Sequence, residues 1–262
     1  MSTVEDLVPW LDEALSAPRP VPDIRERWPE ITDRDAYALQ LALMDARVAS
    51  GARIVGYKAA LTSSAMQRQI GIHEPMLGTL LASRVYPENE PVSLSARGFL
   101  RATLEPEVAV VLGTGLAGAG VTAVDAMAAT RGLLPAVELG DYRTEQSSGR
   151  TLVGSVVCNT FNGGIVLGRP MTSPEGLDLR VEGMAMWLNG EPAGSGTGVE
   201  VLGDPFESVA FMANKLAEHG RSLEAGMILM TGSIVASVAL SPGDDVEVRF
   251  TRLGNVRVRI AR

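Results

Sequence analysis

Residues 104–112 read Leu-Glu-Pro-Glu-Val-Ala-Val-Val-Leu, an apolar run of strand-forming residues with two carboxylates at its start. A run this apolar, without the alternation of a half-solvated strand, belongs to a buried β-strand. Further strands are expected at 134–140, 153–167, 179–189 and 227–238, and VEVRF and VRVRI flank Leu253-Gly254-Asn255 as a hairpin. Helical signals come mostly earlier. Thr32, with Asp35 three residues on, caps a helix with an apolar stripe at Leu39, Leu43 and Ala46, and Gly51 stops it. Residues 52–61 read as extended and SSAMQRQIG as a short helix with Met66 and Ile70 one turn apart. Two later helices interrupt the strands. One starts at Thr122 with Asp125 behind it; the other has Asp204 as cap, Pro205 in the first turn, and Val209, Met212 and Leu216 facing inward. Helices first and then mostly strands, without regular βαβ alternation, give an α+β fold with a large mixed sheet. At 262 residues, 46% of them hydrophobic, the chain can bury one large core.

Composition then removes several kinds of function. A net charge of −8 with no Lys/Arg block argues against nucleic acid or an anionic membrane as partner. No apolar run approaches the ~20 residues needed to cross a bilayer, and MSTVEDLVPW lacks a basic-then-apolar signal pattern, so the expected location is cytoplasmic. Cys158 is the single cysteine, which excludes an intrachain disulfide and a Cys-based zinc cluster; it is expected as a buried structural thiol. With only His73 and His219 as imidazoles, acid–base work falls mainly to carboxylates and lysine. The stretch Gly113-Thr114-Gly115-Leu116-Ala117-Gly118 fits a dinucleotide fingerprint, but Ala119-Gly120-Val121 separates it from a helix with its own cap at Thr122, so it is expected to be a loop.

The carboxylates in the strands are the chemical signal. Residues i and i+2 of a strand project from one face roughly 6–7 Å apart, so Glu105 and Glu107 point together. Glu138 interrupts the apolar run from Leu133 to Leu139 in the same way. A hard divalent cation such as Mg²⁺ or Mn²⁺ relieves the repulsion among such oxygens. The competing reading puts the glutamates on a solvated edge, or pairs them with Arg101 and Arg143. Lys58, the only charge between Arg53 and Arg68, sits in an expected strand. Desolvation would lower its pKa toward the range useful for general acid–base work; alternatively it snorkels from a strand end.

Four short motifs in order carry a resemblance across nearly the whole chain. They are Gly56-Tyr57-Lys58 with Leu61-Thr62-Ser63; Glu105-x-Glu107; Pro135-Ala136-x-Glu138-x-x-Asp141-x-Arg143; and Val201-Leu202-Gly203-Asp204-Pro205 through Thr231-Gly232-Ser233. Together they resemble the 2-hydroxypentadienoate (2-oxopent-4-enoate) hydratase and 4-oxalocrotonate decarboxylase family, within the fumarylacetoacetate hydrolase superfamily. The resemblance implies a rolled mixed β-sandwich like that superfamily's C-terminal domain, with flanking helices. Residues 1–90 are then a helical cap segment packed on a catalytic domain of residues 91–262, as one folding unit. It implies Mg²⁺ or Mn²⁺ on Glu105, Glu107 and Glu138, and catalysis by Lys58 with Arg143. Met76, Leu77, Asn159, Phe161, Thr231 and Ser233 are the implied substrate contacts. The implied activity is that of a metal-dependent lyase on small 2-hydroxy-2,4-dienoate or 2-oxo-enoate acids, adding water to give a 4-hydroxy-2-oxo acid. Alternatives are decarboxylation, tautomerisation or cyclisation of the same core, or service as a non-catalytic partner subunit. A homo-oligomer, with association to another enzyme of its pathway, is also implied. Two departures stand out. Met76, in Pro75-Met76-Leu77-Gly78, replaces the family's acidic residue, leaving Glu74 or His73 as substitutes, and Asn159-Thr160-Phe161 replaces most of a serine-bearing segment.

Overall fold

The computed structural model describes residues 3–88, 90–144 and 151–262. Helix α1 (Val4–Ser16), which precedes the first expected helix, is closed by a capping box between Thr3 and Asp6. Helix α2 (Asp33–Ala49) has the expected box between Thr32 and Asp35, and Gly51 follows it with a φ of 97°. Its inward face is Ala36, Tyr37, Leu39, Gln40, Leu43 and Met44; Ala46, expected on the stripe, is exposed. From β1 (Ile54–Ala60) onward, strands dominate.

The larger sheet has eight strands. Strand β4 (Ala102–Leu112) lies at its centre, flanked by β5 (Thr130–Asp141) and by the short β9 (Ile228–Met230). Beyond β9 come β1 and then β2 (Met76–Leu81); beyond β5 come β6 (Asn162–Leu167) and β3 (Val85–Tyr86), with β10 (Val238–Ala239) on β4. The β1–β9 and β3–β6 pairs are parallel and the rest antiparallel, so the sheet is mixed as expected. It rolls, bringing β2 near one end against β6 near the other. Three of its strands precede residue 90. A second sheet of four strands holds β7 (Gly183–Leu188), β8 (Glu191–Thr197) and the expected hairpin of β11 (Asp245–Phe250) with β12 (Asn255–Arg259).

Three expected strands are broken. Residues 153–167 form α5 (Leu152–Val157), a 3-10 turn and only then β6, because Thr151 caps the helix and Val153, Val156 and Val157 bury against α2. A valine-rich segment is apolar enough for either element, and packing selects the helix. Residues 179–189 begin as a 3-10 turn, with the strand starting at Gly183. Residues 227–238 split into β9 and β10, because Gly232, at a φ of 109°, turns the chain. The short helix α3 (Ser64–Ile70) buries no residue, whereas α4 (Ala123–Ala129) and α6 (Pro205–Ala217) keep the expected caps at Thr122 and Asp204. The glycine-rich stretch 113–118 is a loop ahead of Thr122. No helix among the described residues is long and apolar enough to cross a membrane.

Candidate active site

Strand alternation and register build the site. Glu105 and Glu107 leave β4 on one face, and Glu138 on β5 lies directly across from Glu105. Two like charges in that position are destabilising unless a cation joins them. Met230 on β9 pairs with both Ala109 and Lys58, which puts the Lys58 side chain on the same inner face from two strands away. Leu80, Ala109, Ala136, Ile165 and Met230 fill the rest of this interior. One oxygen from each of Glu105, Glu107 and Glu138 lies within 4.8 Å of the others. The solvated-edge alternative fails: Glu107 is 0% and Glu138 1% exposed. Lys58, at 3%, is no snorkelling residue either.

The hydrogen bonds show what the cluster lacks. The Gly232 amide donates to Glu107 Oε2 at 2.7 Å, and Asn162 Nδ2 to Glu138 Oε1 at 2.8 Å. Lys58 Nζ lies 2.9 Å from Glu138 Oε2 and donates to the Thr160 carbonyl at 3.2 Å. Glu107 Oε1 is buried and meets no hydrogen-bond donor among the described residues. Burial and then the Glu138 charge push the Glu107 carboxyl well above its usual range, against the pull of Lys58 and the Gly232 amide. For Lys58, burial pulls the ammonium's pKa down. Glu138, then Glu105 and Glu107, outweigh that pull, so the net shift is upward, contrary to the lowering expected from desolvation alone. Three carboxylates converge beside a single buried ammonium, and a divalent cation would relieve their mutual repulsion. An all-oxygen donor set with an orphaned buried oxygen suits a hard ion of the Mg²⁺ or Mn²⁺ type.

A strained turn holds the lysine. Asn159, Thr160 and Phe161 all have positive φ, 51°, 49° and 63°, a conformation rarely held by β-branched or bulky residues without support. Asn159 supplies support by mimicking a strand: its Oδ1 accepts from the Thr79 amide at 2.7 Å and its Nδ2 donates to the Thr79 carbonyl at 2.9 Å. The turn thereby aims the Thr160 carbonyl at Lys58. Gly78 makes room for both, since a Cβ there would lie 2.2 Å from Thr160 Oγ1 and 3.0 Å from Lys58 Cδ. Gly78, Thr160 and Gly232 stand inside motifs quoted above without a role assigned, and Asn162 stands outside them. A glycine amid the apolar residues of 76–81 was a signal of close approach; the others carry none.

A cavity of about 280 Å³ opens on this cluster. Lys58, Met76, Glu105, Phe161 and Ser233 line it, and Glu200, Tyr142 and Ser155 join from segments not anticipated. Other expected contacts lie elsewhere. Leu77 points to the opposite face and packs in the main core. Asn159 is occupied by Thr79, and Thr231 Oγ1 donates to the Val108 carbonyl at 2.9 Å. The structure also keeps two expected catalytic residues away from the cavity. Arg143 ties the end of α1 to the sheet, donating to the Leu15 carbonyl at 2.7 Å and the Gly98 carbonyl at 2.9 Å, with Asp141 at 3.3 Å. Glu74 pairs with Lys215 at 3.5 Å in a separate polar pocket with Tyr37 and His219, and His73 is exposed. Both belong to turns or strand ends whose side-chain direction is set by tertiary packing. Cys158 is buried, and burial pushes its thiol up to about 12.

The model of the fumarylacetoacetate (FAA) hydrolase C-terminal family matches residues 52–261. A 2-hydroxyhexa-2,4-dienoate hydratase of Comamonas testosteroni is 35% identical over 249 residues, 95% of this chain and 94% of the relative. A 4-oxalocrotonate decarboxylase of Pseudomonas putida is 38% identical over 232 residues, 88% and 87% of the two chains. The structure of 4-oxalocrotonate decarboxylase from Pseudomonas putida G7, complexed with magnesium and adipate, superposes with a TM-score of 0.92 at 35% identity, covering 98% of this chain and 97% of that one.

Proposed function

Since this chain belongs to the fumarylacetoacetate hydrolase family, we propose that it is a metal-dependent lyase acting on small 2-hydroxy-2,4-dienoate or 2-oxo-enoate acids, in the manner of a hydratase. The observation that carries the reading is the convergence of Glu105, Glu107 and Glu138 within 4.8 Å beside Lys58, on a partly apolar cavity. Those glutamates would hold Mg²⁺ or Mn²⁺. When bound, such an ion supplies positive charge for the carboxylate and C2 oxygen of a 2-oxo acid. Lys58 carries the proton. Its ammonium, positioned by Glu138 and the Thr160 carbonyl, delivers a proton to C5 of a 2-hydroxy-2,4-dienoate, and the proton released as the C2 hydroxyl becomes a ketone returns to the Lys58 amine, giving a 2-oxo-3-enoate. Water addition at C4 then completes hydration. Met76 and Phe161 lend the cavity an apolar wall, and apolar surroundings strengthen charge interactions beside them. A homo-oligomer in the cytoplasm is part of the same proposal, and light scattering checks the assembly.

Met76 and Phe161 also favour a second outcome on the same core, proton transfer without water addition. Neither side chain offers an attacking water a hydrogen-bond acceptor. An NMR time course in D₂O with 2-hydroxypentadienoate and Mg²⁺ decides between them. Deuterium appearing at C5 with a new C4 alcohol signal supports the hydratase. Deuterium at C5 alone supports a tautomerase, and Met76→Asp should then raise hydration relative to exchange. Neither signal, with any 2-hydroxydienoate of a panel, overturns the proposal.

A further inference from the structure

The cavity carries a feature that neither the metal cluster nor Lys58 uses. Glu200 lines it from the 3-10 turn Gly198–Glu200, far in sequence from the other acids. Backbone bonds hold this turn on both sides: the Gly198 amide donates to the Glu182 carbonyl at 3.2 Å, and the Leu202 amide to the Thr62 carbonyl at 3.0 Å. Gly198 allows the approach, since a Cβ there would lie 1.9 Å from the Leu179 carbonyl oxygen. Thr62 itself lines the cavity, so the turn is fastened to the cavity wall. The Glu200 carboxylate makes no hydrogen bond or ion pair among the described residues. Met66, Ile70, Met76, Phe161, Ile234 and Val235 give the same cavity its apolar walls, with Thr62, Ser155 and Ser233 among its polar members.

We propose that Glu200 is a specificity-determining residue that selects 2-oxo and 2-hydroxy acids with an uncharged tail and turns away those ending in a second carboxylate. The inference rests on the proposed function of the site. A substrate anchored by its first carboxylate and C2 oxygen at the glutamate cluster extends its chain between the apolar walls. A carboxylate at the end of that chain would lie against Met and Ile side chains and meet the solvent-facing Glu200 as a like charge. Lys58, the one cation among the described lining residues, is already engaged by Glu138 and Thr160. Discrimination by a repulsive element of this kind needs no new attractive contact. A short alkyl or alkenyl tail fits the same walls without penalty. Decarboxylation of a diacid is correspondingly disfavoured as the activity.

Calorimetry in Mg²⁺ with 2-oxohexanoate and 2-oxoadipate, which share a chain length and differ in the terminal carboxylate, tests the proposal. The wild type should bind 2-oxohexanoate at least about tenfold more tightly. Glu200→Gln should narrow that ratio at least about threefold through tighter binding of 2-oxoadipate, and Glu200→Lys should narrow it further or invert it. Equal affinities in the wild type, tighter 2-oxoadipate, or a ratio unmoved by both variants would overturn the specificity while leaving the proposed function standing. If the wild type binds neither acid, the proposed function fails and this inference falls with it.

Discussion

Replacing Lys58 by Met separates the roles that the structure gives the lysine. Its Nζ lies 2.9 Å from Glu138 Oε2, and both side chains are almost fully buried. Two unit charges at that distance attract by about 6 kcal/mol at an effective dielectric near 20. Desolvation offsets part of this, and breaking a buried pair by removing one partner costs about 3–5 kcal/mol because the other charge stays buried. For a chain of this size that corresponds to a fall in melting temperature of roughly 6–20 °C in chelator. The variant should regain much of the loss when Mn²⁺ is added, because the ion no longer competes with an ammonium for Glu138. Its Mn²⁺ affinity should therefore rise, while turnover falls by about 10² to 10⁴, the range for losing a general acid–base. Scanning calorimetry with and without metal, metal titration, and the D₂O exchange assay read the three quantities separately. An unchanged melting temperature in chelator would show that the ion pair is not the neighbour of the carboxylate cluster described above. Full exchange activity would remove Lys58 from the proton path.

Other changes test the rest of the site. Glu107→Gln keeps the shape and the Gly232 contact but removes one charge, and Mn²⁺ binding should weaken at least about tenfold by calorimetry; unchanged affinity would take Glu107 out of the ligand set. Gly78→Ala drives a Cβ into Thr160 and Lys58, so it should cost about 1–3 kcal/mol in denaturant unfolding and lower exchange activity at least tenfold. Because burial pushes Cys158 up to about 12, its thiolate fraction at pH 8 is about 10⁻⁴. Alkylation of the folded protein should therefore be slow and keep rising with pH past 9, where an exposed thiol levels off; mass spectrometry after iodoacetamide checks it.

Much of the architecture was legible from the chain alone, because local rules and tertiary structure agree there. The boxes at Thr32 and Thr122, the Asp204-Pro205 start and the hairpin about Gly254 are decided by bonds within a few residues. Glu105, Glu107, Glu138 and Lys58 were legible for the opposite reason: each is a charge where an apolar residue belongs, and burial makes such an exception expensive unless it has a use. What the sequence by itself determined is therefore a mixed sheet with carboxylates and a lysine in its strands. Tertiary structure alone decided the rest. Whether residues 153–157 coil or extend depended on the α2 face they bury against. Arg143 and Glu74 left the site because α1 and Lys215 offered them partners that no local pattern announces. The strained turn at Asn159–Phe161 and Glu200 reached the cavity only through tertiary packing, which sets Thr160 against Lys58 and the Glu200 turn against Thr62 across more than a hundred positions, and no spacing along the chain encodes that distance.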